Sequence, residues 1–416
     1  MTVAEALLVA ISGLSANRLR SGLTVLGIMI GVGAVVLLVA VGNGASVQVT
    51  NQIESLGSNL IYIYPASTRT AGVAQGFGSG QTLTMTDVQA LTDHSQAPDI
   101  ADAIPIANAP GLMTRGSQNW FAPVVASTQD FATVRNYQIQ DGQFFSQSQV
   151  NSSARVVVIG QTVVDNLFGG SPQAALGQSI KIQRQPFTVI GTFVPKGSQG
   201  LGNQDNVAAV PITAAWNYLT GGRGKNISQV VVQATSASTI TRATQEATQI
   251  LLADHKISDP SQADFSTQSQ QDILASYGQV TQTLTVLLGS IAAIALVVGG
   301  IGIMNIMLVT VTERTREIGI RKAIGARRSD ILLQFLIESM FLSGIGGILG
   351  IVIGWGVALW LPRLNLSVLA SLGRPVVSVP SALLAFGVSV GIGLFFGIYP
   401  ANRAAALNPI EALRYE

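Results

Sequence analysis

"TERTREIGIRKAIGARRSDI", Thr312–Ile331, places nine charged residues in a chain that is only 11% charged. Long apolar runs flank it on both sides. A charged stretch between two greasy segments marks a link held in water between two membrane spans. Its basic residues are Arg314, Arg316, Arg321, Lys322, Arg327 and Arg328. The positive-inside tendency of short loops accounts for these. It does not account for the interleaved acids Glu313, Glu317 and Asp330. On a helix Glu313 pairs by spacing with Arg316, or Glu317 with Arg321, at i+3 and i+4. Ile318, Ile320 and Ile324 add apolar contact points. A short helix with charges of both signs and isoleucine knobs suits docking onto a soluble protein better than lying on lipid.

Working outward, the chain of 416 residues is 48% hydrophobic, carries 44 glycines and has a mean hydropathy of +0.44. That is too apolar for an ordinary soluble enzyme. Four candidate spans appear: Leu23–Val41, and runs within Leu284–Val311, Ile331–Leu361 and Val379–Tyr399. Each reaches the roughly 20 residues needed to cross a bilayer core. The first run is longer than a signal-peptide core and is followed by no clear small-x-small cleavage site. Basic residues in the short connections place the N-terminus, the 312–330 link and the C-terminus in the cytoplasm.

The expected architecture is therefore an integral membrane α-helical protein with four transmembrane helices. A large α+β extracytoplasmic domain lies between helices 1 and 2. Residues 1–20 form an amphipathic interfacial helix, with Val3, Leu7, Ile11 and Leu14 at helical spacing. The spans take 22–42, 283–311, 331–361 and 379–400. The outside domain with its stalk takes 43–282, and 362–378 is a short outside loop. Residues 312–330 are the cytoplasmic link and 401–416 the cytoplasmic tail.

Within the outside domain, strands are expected at Leu60–Pro65, Ala154–Gly160 and Gln229–Ala234. A hairpin is expected over Ile180–Phe193, turning at Gln185–Pro186. A helix opens near Thr86 or Asp87, and another spans Thr239–Leu252 with Ile240, Ala243, Ala247, Ile250 and Leu251 on one stripe. Ala71–Gly80 and Lys196–Gln204 read as loops. The polar stretch Gln268–Thr283 reads as a helical stalk ahead of the second span.

The chemistry of catalysis is missing. There is no cysteine, which removes disulfides, thiolate nucleophiles and cysteine-ligated metals. His94 and His255 lie far apart without ligand spacing and read as exposed polar residues. The nearest string to a nucleotide-binding loop, Thr220–Asn226 "TGGRGKN", lacks the glycine spacing and the hydroxyl residue after lysine. No catalytic residue, directly bound cofactor or metal site is expected, and nucleic acid is not an expected partner. Glu338 is the carboxylate inside a span. It reads as a structural polar contact, to Gln334 or towards the interface, with Asn305 a possible interhelical partner. Close-packing spacings abound: Gly27-xxx-Gly31, Gly346-xxx-Gly350-xxx-Gly354, Gly387-xxx-Gly391 and Gly393-xxx-Gly397. Together they favour tight packing and a dimer over a wide pore.

Asn305–Ser339, "NIMLVTVTERTREIGIRKAIGARRSDILLQFLIES", strongly resembles the MacB/FtsX family of ABC-transporter permeases. The ending "ANRAAALNPIEALRYE", the early "SGLTVLGIMIGVGAVV" and the outside "RVVVIGQTVVDNLFGG" and "LGQSIKIQRQPFTVIGTF" are similar to its MacB-type branch. The resemblance implies a permease dimer, of identical or related copies, above two ATPase subunits that use ATP and Mg. It implies an outside domain with a porter-like part and a distal inserted part, and a docked adaptor protein. It also implies that the link couples ATPase closure to motion of the stalk and outside domain in the cell membrane. With no fused N-terminal ATPase in this sequence, the ATPase is expected on a separate polypeptide. Its contact set is expected to be Glu313, Arg314, Arg316, Glu317, Ile318, Gly319, Arg321 and Lys322, with Gly319 and Gly325 shaping the turn. Export of a drug, peptide or other amphiphile leads. Lipoprotein release or activation of a cell-wall hydrolase is the alternative within the family. A membrane-anchored receptor without an ATPase is the alternative of another class.

Overall fold

The structure, a computed structural model, describes residues 18–55, 57–66, 69–70, 73–74, 82–199, 202–221, 225–364 and 374–413. Residues 1–17 of the expected interfacial helix lie outside these, as do most of Ala71–Gly80 and of the 362–378 loop. Two units divide the chain: Val49–Tyr277, and Met1–Gln48 with Gly278–Glu416. The chain passes from one to the other within helices α1 (Arg18–Ser55) and α5 (Gln270–Glu313).

The Val49–Tyr277 unit is built on a mixed sheet of twelve strands. Four of them make one half: β1 (Leu60–Pro65), β2 (Ile100–Ala109), β11 (Gln229–Ala234) and β12 (Phe265–Ser269). They lie in the order β12-β1-β11-β2, all antiparallel. Helix α2 (Met85–Leu91) connects β1 to β2, and α4 (Ile240–Asp254) connects β11 to β12. That is a split β-α-β-β-α-β arrangement with a long insertion between β2 and β11. The insertion carries β3 (Leu112–Arg115), β4 (Gln118–Phe121), β5 (Val124–Ser127), β6 (Ile139–Gly142), β7 (Val156–Ile159), β8 (Ser179–Ile182), β9 (Gln185–Phe193) and β10 (Ala208–Pro211). The ten-residue β2 joins the halves, pairing β11 through Ile106 and β5 from Ala107 onward. Between β7 and β8, α3 (Gln161–Phe168) buries Val163, Val164, Leu167 and Phe168.

Local chemistry explains these elements. β7 reads VVVI, and β-branched side chains pack well on a pleated surface. All five stripe residues of α4 are buried, as its 3.6-residue period requires. The cap of α2 is Thr84, not Thr86 or Asp87. Asp87 sits at the third helical position and accepts from the Thr84 N–H at 2.7 Å, closing a capping box. The β8–β9 hairpin turns at Gln183–Arg184, both at positive φ, one pair before the expected Gln185–Pro186. Pro186 is tolerated inside β9 because the parallel pairing to β7 starts only at Thr188. His255 is likewise not the exposed residue its sequence setting implied. Its Nδ1 lies 2.7 Å from Asp264 Oδ1 and its Nε2 3.2 Å from Asp87 Oδ2.

The other unit comprises the membrane-length parts of α1 and α5 with α6 (Thr315–Ala323), α7 (Arg328–Trp360), α8 (Val379–Ala406) and α9 (Pro409–Leu413). Among the described residues, four helices are long and apolar enough to cross a membrane: α1, α5, α7 and α8. Their outward faces are apolar, with Val298, Leu359 and Phe395 all exposed. Large apolar side chains such as Ile28, Leu296, Met307, Phe335 and Leu342 fill the helix contacts, and glycines and serines between them let the helices approach closely, as in helix association within lipid. The Ser389 hydroxyl on α8 donates to the Ser343 carbonyl on α7 at 2.7 Å.

Glycine spacing sets which helices touch. A Cβ at Gly31 would meet the Leu296 side chain at 2.9 Å, and one at Gly27 the Gly299 Cα at 3.5 Å, so this pair faces α5. Cβ atoms at Gly346, Gly350 and Gly354 would meet Ile28, Met29 and Gly33 of α1 within 3 Å. Gly393 and Gly397 face Ser343 and Ser339 of α7. Gly387 and Gly391 differ from their expected role. Nothing lies within 4 Å of a Cβ at either, so their spacing is not used for packing within the described chain.

Candidate coupling site

α5 ends at Glu313, and the chain turns at Arg314 into α6. The Thr315 hydroxyl donates to the carbonyls of Val311 and Thr312, both at 2.9 Å, holding the turn. At the other end Gly325 adopts φ +108°. The Ala326 N–H then reaches the Arg321 carbonyl at 3.0 Å and the Gly325 N–H reaches Lys322 at 3.1 Å. Those two bonds form a Schellman cap, which favours glycine at the left-handed position. Asp330 accepts from the Arg327 N–H at 2.9 Å and opens α7.

α6 has two faces. Ile318, 1% exposed, and Gly319 point inward. Arg314 Nη1 lies 3.6 Å from the buried Glu338 Oε2 on α7. Arg321 donates to Gln334 Oε1 on α7 at 3.0 Å and pairs with Glu317 one turn back along α6. Lys322 Nζ donates to the carbonyls of Ala405 and Leu407, each at 2.7 Å. The outward face carries Arg316, Glu317 and Ile320, with Glu313 exposed at the end of α5 and Ile324 82% exposed beyond α6. Of the eight link residues singled out in the sequence, Glu313, Arg316 and Glu317 are exposed. Arg314, Arg321 and Lys322 are half-buried and bonded inward. Gly319 faces α9, where a Cβ on it would stand 2.8 Å from the Ala412 Cβ. It is a packing position, and Gly325 alone shapes the turn.

Asn305 is exposed and lines an apolar groove of about 450 Å³ with Leu23, Gly27, Val298 and Gly302. Glu338 meets Arg314 instead, and Gln334 meets Arg321. Sequence reasoning missed the α6–α9 contact entirely. Its signal was the string "LNPIEAL" at 407–413, in which Asn408 and Pro409 announce a new helix start.

Four membrane-length apolar helices, an α+β domain between the first two in chain order and a short two-faced charged helix define a membrane protein. Residues 21–250 match the MacB-like periplasmic core domain, and residues 289–409 match the FtsX-like permease C-terminal domain. A "Macrolide export ATP-binding/permease protein MacB" of Bdellovibrio bacteriovorus is 42% identical over 97% of this chain and 60% of that protein. One of Hyphomonas neptunium with the same description is 38% identical over 100% of this chain and 61% of that protein. Among solved structures, the periplasmic region of MacB from Actinobacillus actinomycetemcomitans matches 55% of this chain and 96% of that one. Its identity is 20% and its TM-score 0.44. The chain belongs to the MacB/FtsX-like family of ABC-transporter permeases. It spans about 60% of the length of the curated relatives it matches.

Proposed function

We propose that the chain is the permease of an ABC-type export complex. ATP-driven motion of an ATPase enters at the outward face of α6 and is carried through α5 and α1 to the outside domain. The observation that carries this reading is the division of α6. Its inward residues are fastened to the chain's own helices, while Glu313, Arg316, Glu317, Ile320 and Ile324 present mixed charge and apolar surface outward. A lipid-facing helix has little use for exposed acids, and a mere topology signal has no use for exposed isoleucines.

The chain itself binds no nucleotide in this reading, since its 416 residues hold no nucleotide-binding loop. ATP and Mg act at the ATPase of the complex. The complex contains two permease copies, in the cytoplasmic membrane, with α6 on the cytoplasmic side. An adaptor docks on the outside domain. The cargo is a macrolide, as the relatives' names suggest, or another drug, peptide or amphiphile.

The test is purification of the chain from native membranes with ATPase activity assayed in the complex. An ATPase is expected to co-purify with wild type and to be lost or uncoupled in Arg316→Glu and Glu317→Arg. Arg316→Glu is the cleaner variant, because Glu317 also pairs with Arg321. If no ATPase co-purifies and both variants behave as wild type, the receptor reading replaces this one. Accumulation of a lipoprotein rather than a drug in a deletion strain would move the cargo to the alternative within the family.

A further inference from the structure

We propose that Lys322 and Gly319 are positioning residues that fuse the link to the end of the last apolar helix, so that α6, the final turn of α8 and α9 move as one body. The inference rests on the docking reading above for its consequence, but the fusion itself rests on geometry alone.

A helix leaves its last carbonyls without intrahelical partners. α8 ends at Ala406, and the orphan carbonyls of Ala405 and Leu407 are satisfied by one ammonium group, Lys322 Nζ, at 2.7 Å each. A lysine at a helix C-terminus is favourable for charge as well as hydrogen bonding. Here it arrives from a helix more than 80 residues earlier in the chain. One turn back on the same face of α6, Gly319 allows α9 to approach. A Cβ there would stand 2.8 Å from the Ala412 Cβ, closer than two side chains tolerate. α9 is itself tied to the end of α8 by a short connection capped by Asn408, whose carbonyl accepts from the Ala412 N–H at 2.9 Å.

Covalent connection gives α6 to α5 and α7. The two contacts above add α8, which sequence order does not. Force applied to α6 would therefore reach α8 directly, rather than only through α7.

Since the chain contains no cysteine, Ala323→Cys and Ile410→Cys introduce two unique thiols. Both sites are exposed. Nitroxide labels there report the α6–α9 distance in the full-length protein by pulsed electron resonance. A single narrow distance is expected in the parent, broadened in Lys322→Gln, restored in Lys322→Arg and displaced in Gly319→Leu. If Lys322→Gln keeps the parent distribution, the fusion is wrong, whatever ATPase is found. In the complex with its ATPase, the parent distance is expected to stay fixed when a non-hydrolysable ATP analogue is added, and to vary in Lys322→Gln. A parent distance that changes with nucleotide would overturn the single-body proposal. Failure to recover any ATPase would count against the docking reading only, since the first comparison needs none.

Discussion

The Arg314 guanidinium stands 3.6 Å from the Glu338 carboxylate, joining the first residue after α5 to the buried face of α7. Neither facing atom has a hydrogen-bond partner among the described residues, so the pair is held by charge alone. Breaking a buried pair by removing one partner strands the other charge, at a cost of about 3–5 kcal/mol, while replacing both is often near neutral. Arg314→Leu and Glu338→Leu should each lower the unfolding midpoint in detergent, and the double variant should recover much of the loss. Additive single losses would show that the two do not interact.

His255 should make the stability of the outside domain depend on pH. Burial pushes its pKa down, but hydrogen bonds and charge from Asp264 and Asp87 outweigh burial and leave it raised. A raised folded pKa contributes stability that is fully present below the unfolded value of about 6.5 and is lost as pH rises through the folded value. Thermal unfolding of the outside domain within the whole protein should therefore show a component that weakens above neutrality. His255→Gln should remove it. Parallel pH profiles for the two proteins would refute the assignment.

Gln270 is a buried side chain with all its bonds accounted for. Its amide donates to the Ile53 and Gly57 carbonyls at 2.6 and 2.9 Å, and its oxygen accepts from the Leu60 N–H at 3.2 Å. Gln270→Ala strands three backbone groups, each worth about 1–3 kcal/mol when left buried and unpaired. Hydrogen exchange should speed up at the Leu60 amide. Gln270→Glu should be no better, since a carboxylate cannot donate to two carbonyls. Unchanged protection at Leu60 would remove the clasp.

Gly350 and Gly356 lie on the same helix and should respond oppositely to alanine. A Cβ at Gly350 would stand 2.8 Å from the Met29 carbonyl and the Val32 Cβ, while one at Gly356 meets nothing within 4 Å. Gly350→Ala must push α1 from α7 and should destabilise the folded protein in detergent. Gly356→Ala should be neutral or gain the ~0.5–1 kcal/mol by which alanine exceeds glycine within a helix. Equal effects at both positions would argue against the α1–α7 contact.

Membrane-length helices, the domain between the first two of them and the two-signed link were legible because each rests on local composition. Twenty apolar residues in a row have few alternatives, and isolated strands such as VVVI announce themselves by β-branching. Boundaries were less legible where two local signals competed. Pro186 advertised a turn that Gln183 and Arg184 make, and Thr86 advertised a cap that Thr84 provides. His255 misled for another reason. Its partners Asp87 and Asp264 are unremarkable residues until the chain folds.

The sequence by itself determined that this chain carries a charged helix between long apolar ones, because hydropathy and charge are summed along the chain; its family was legible only in the resemblance carried by stretches such as Asn305–Ser339. Only the tertiary structure decided which face of that helix is free. Lys322 and Arg316 are alike in sequence, both cations on one short helix. Lys322 becomes a clamp because the carbonyls of Ala405 and Leu407 arrive beside it, while nothing of the kind reaches Arg316 among the described residues. Such a difference depends on groups brought together from more than 80 positions away, and no local pattern encodes it.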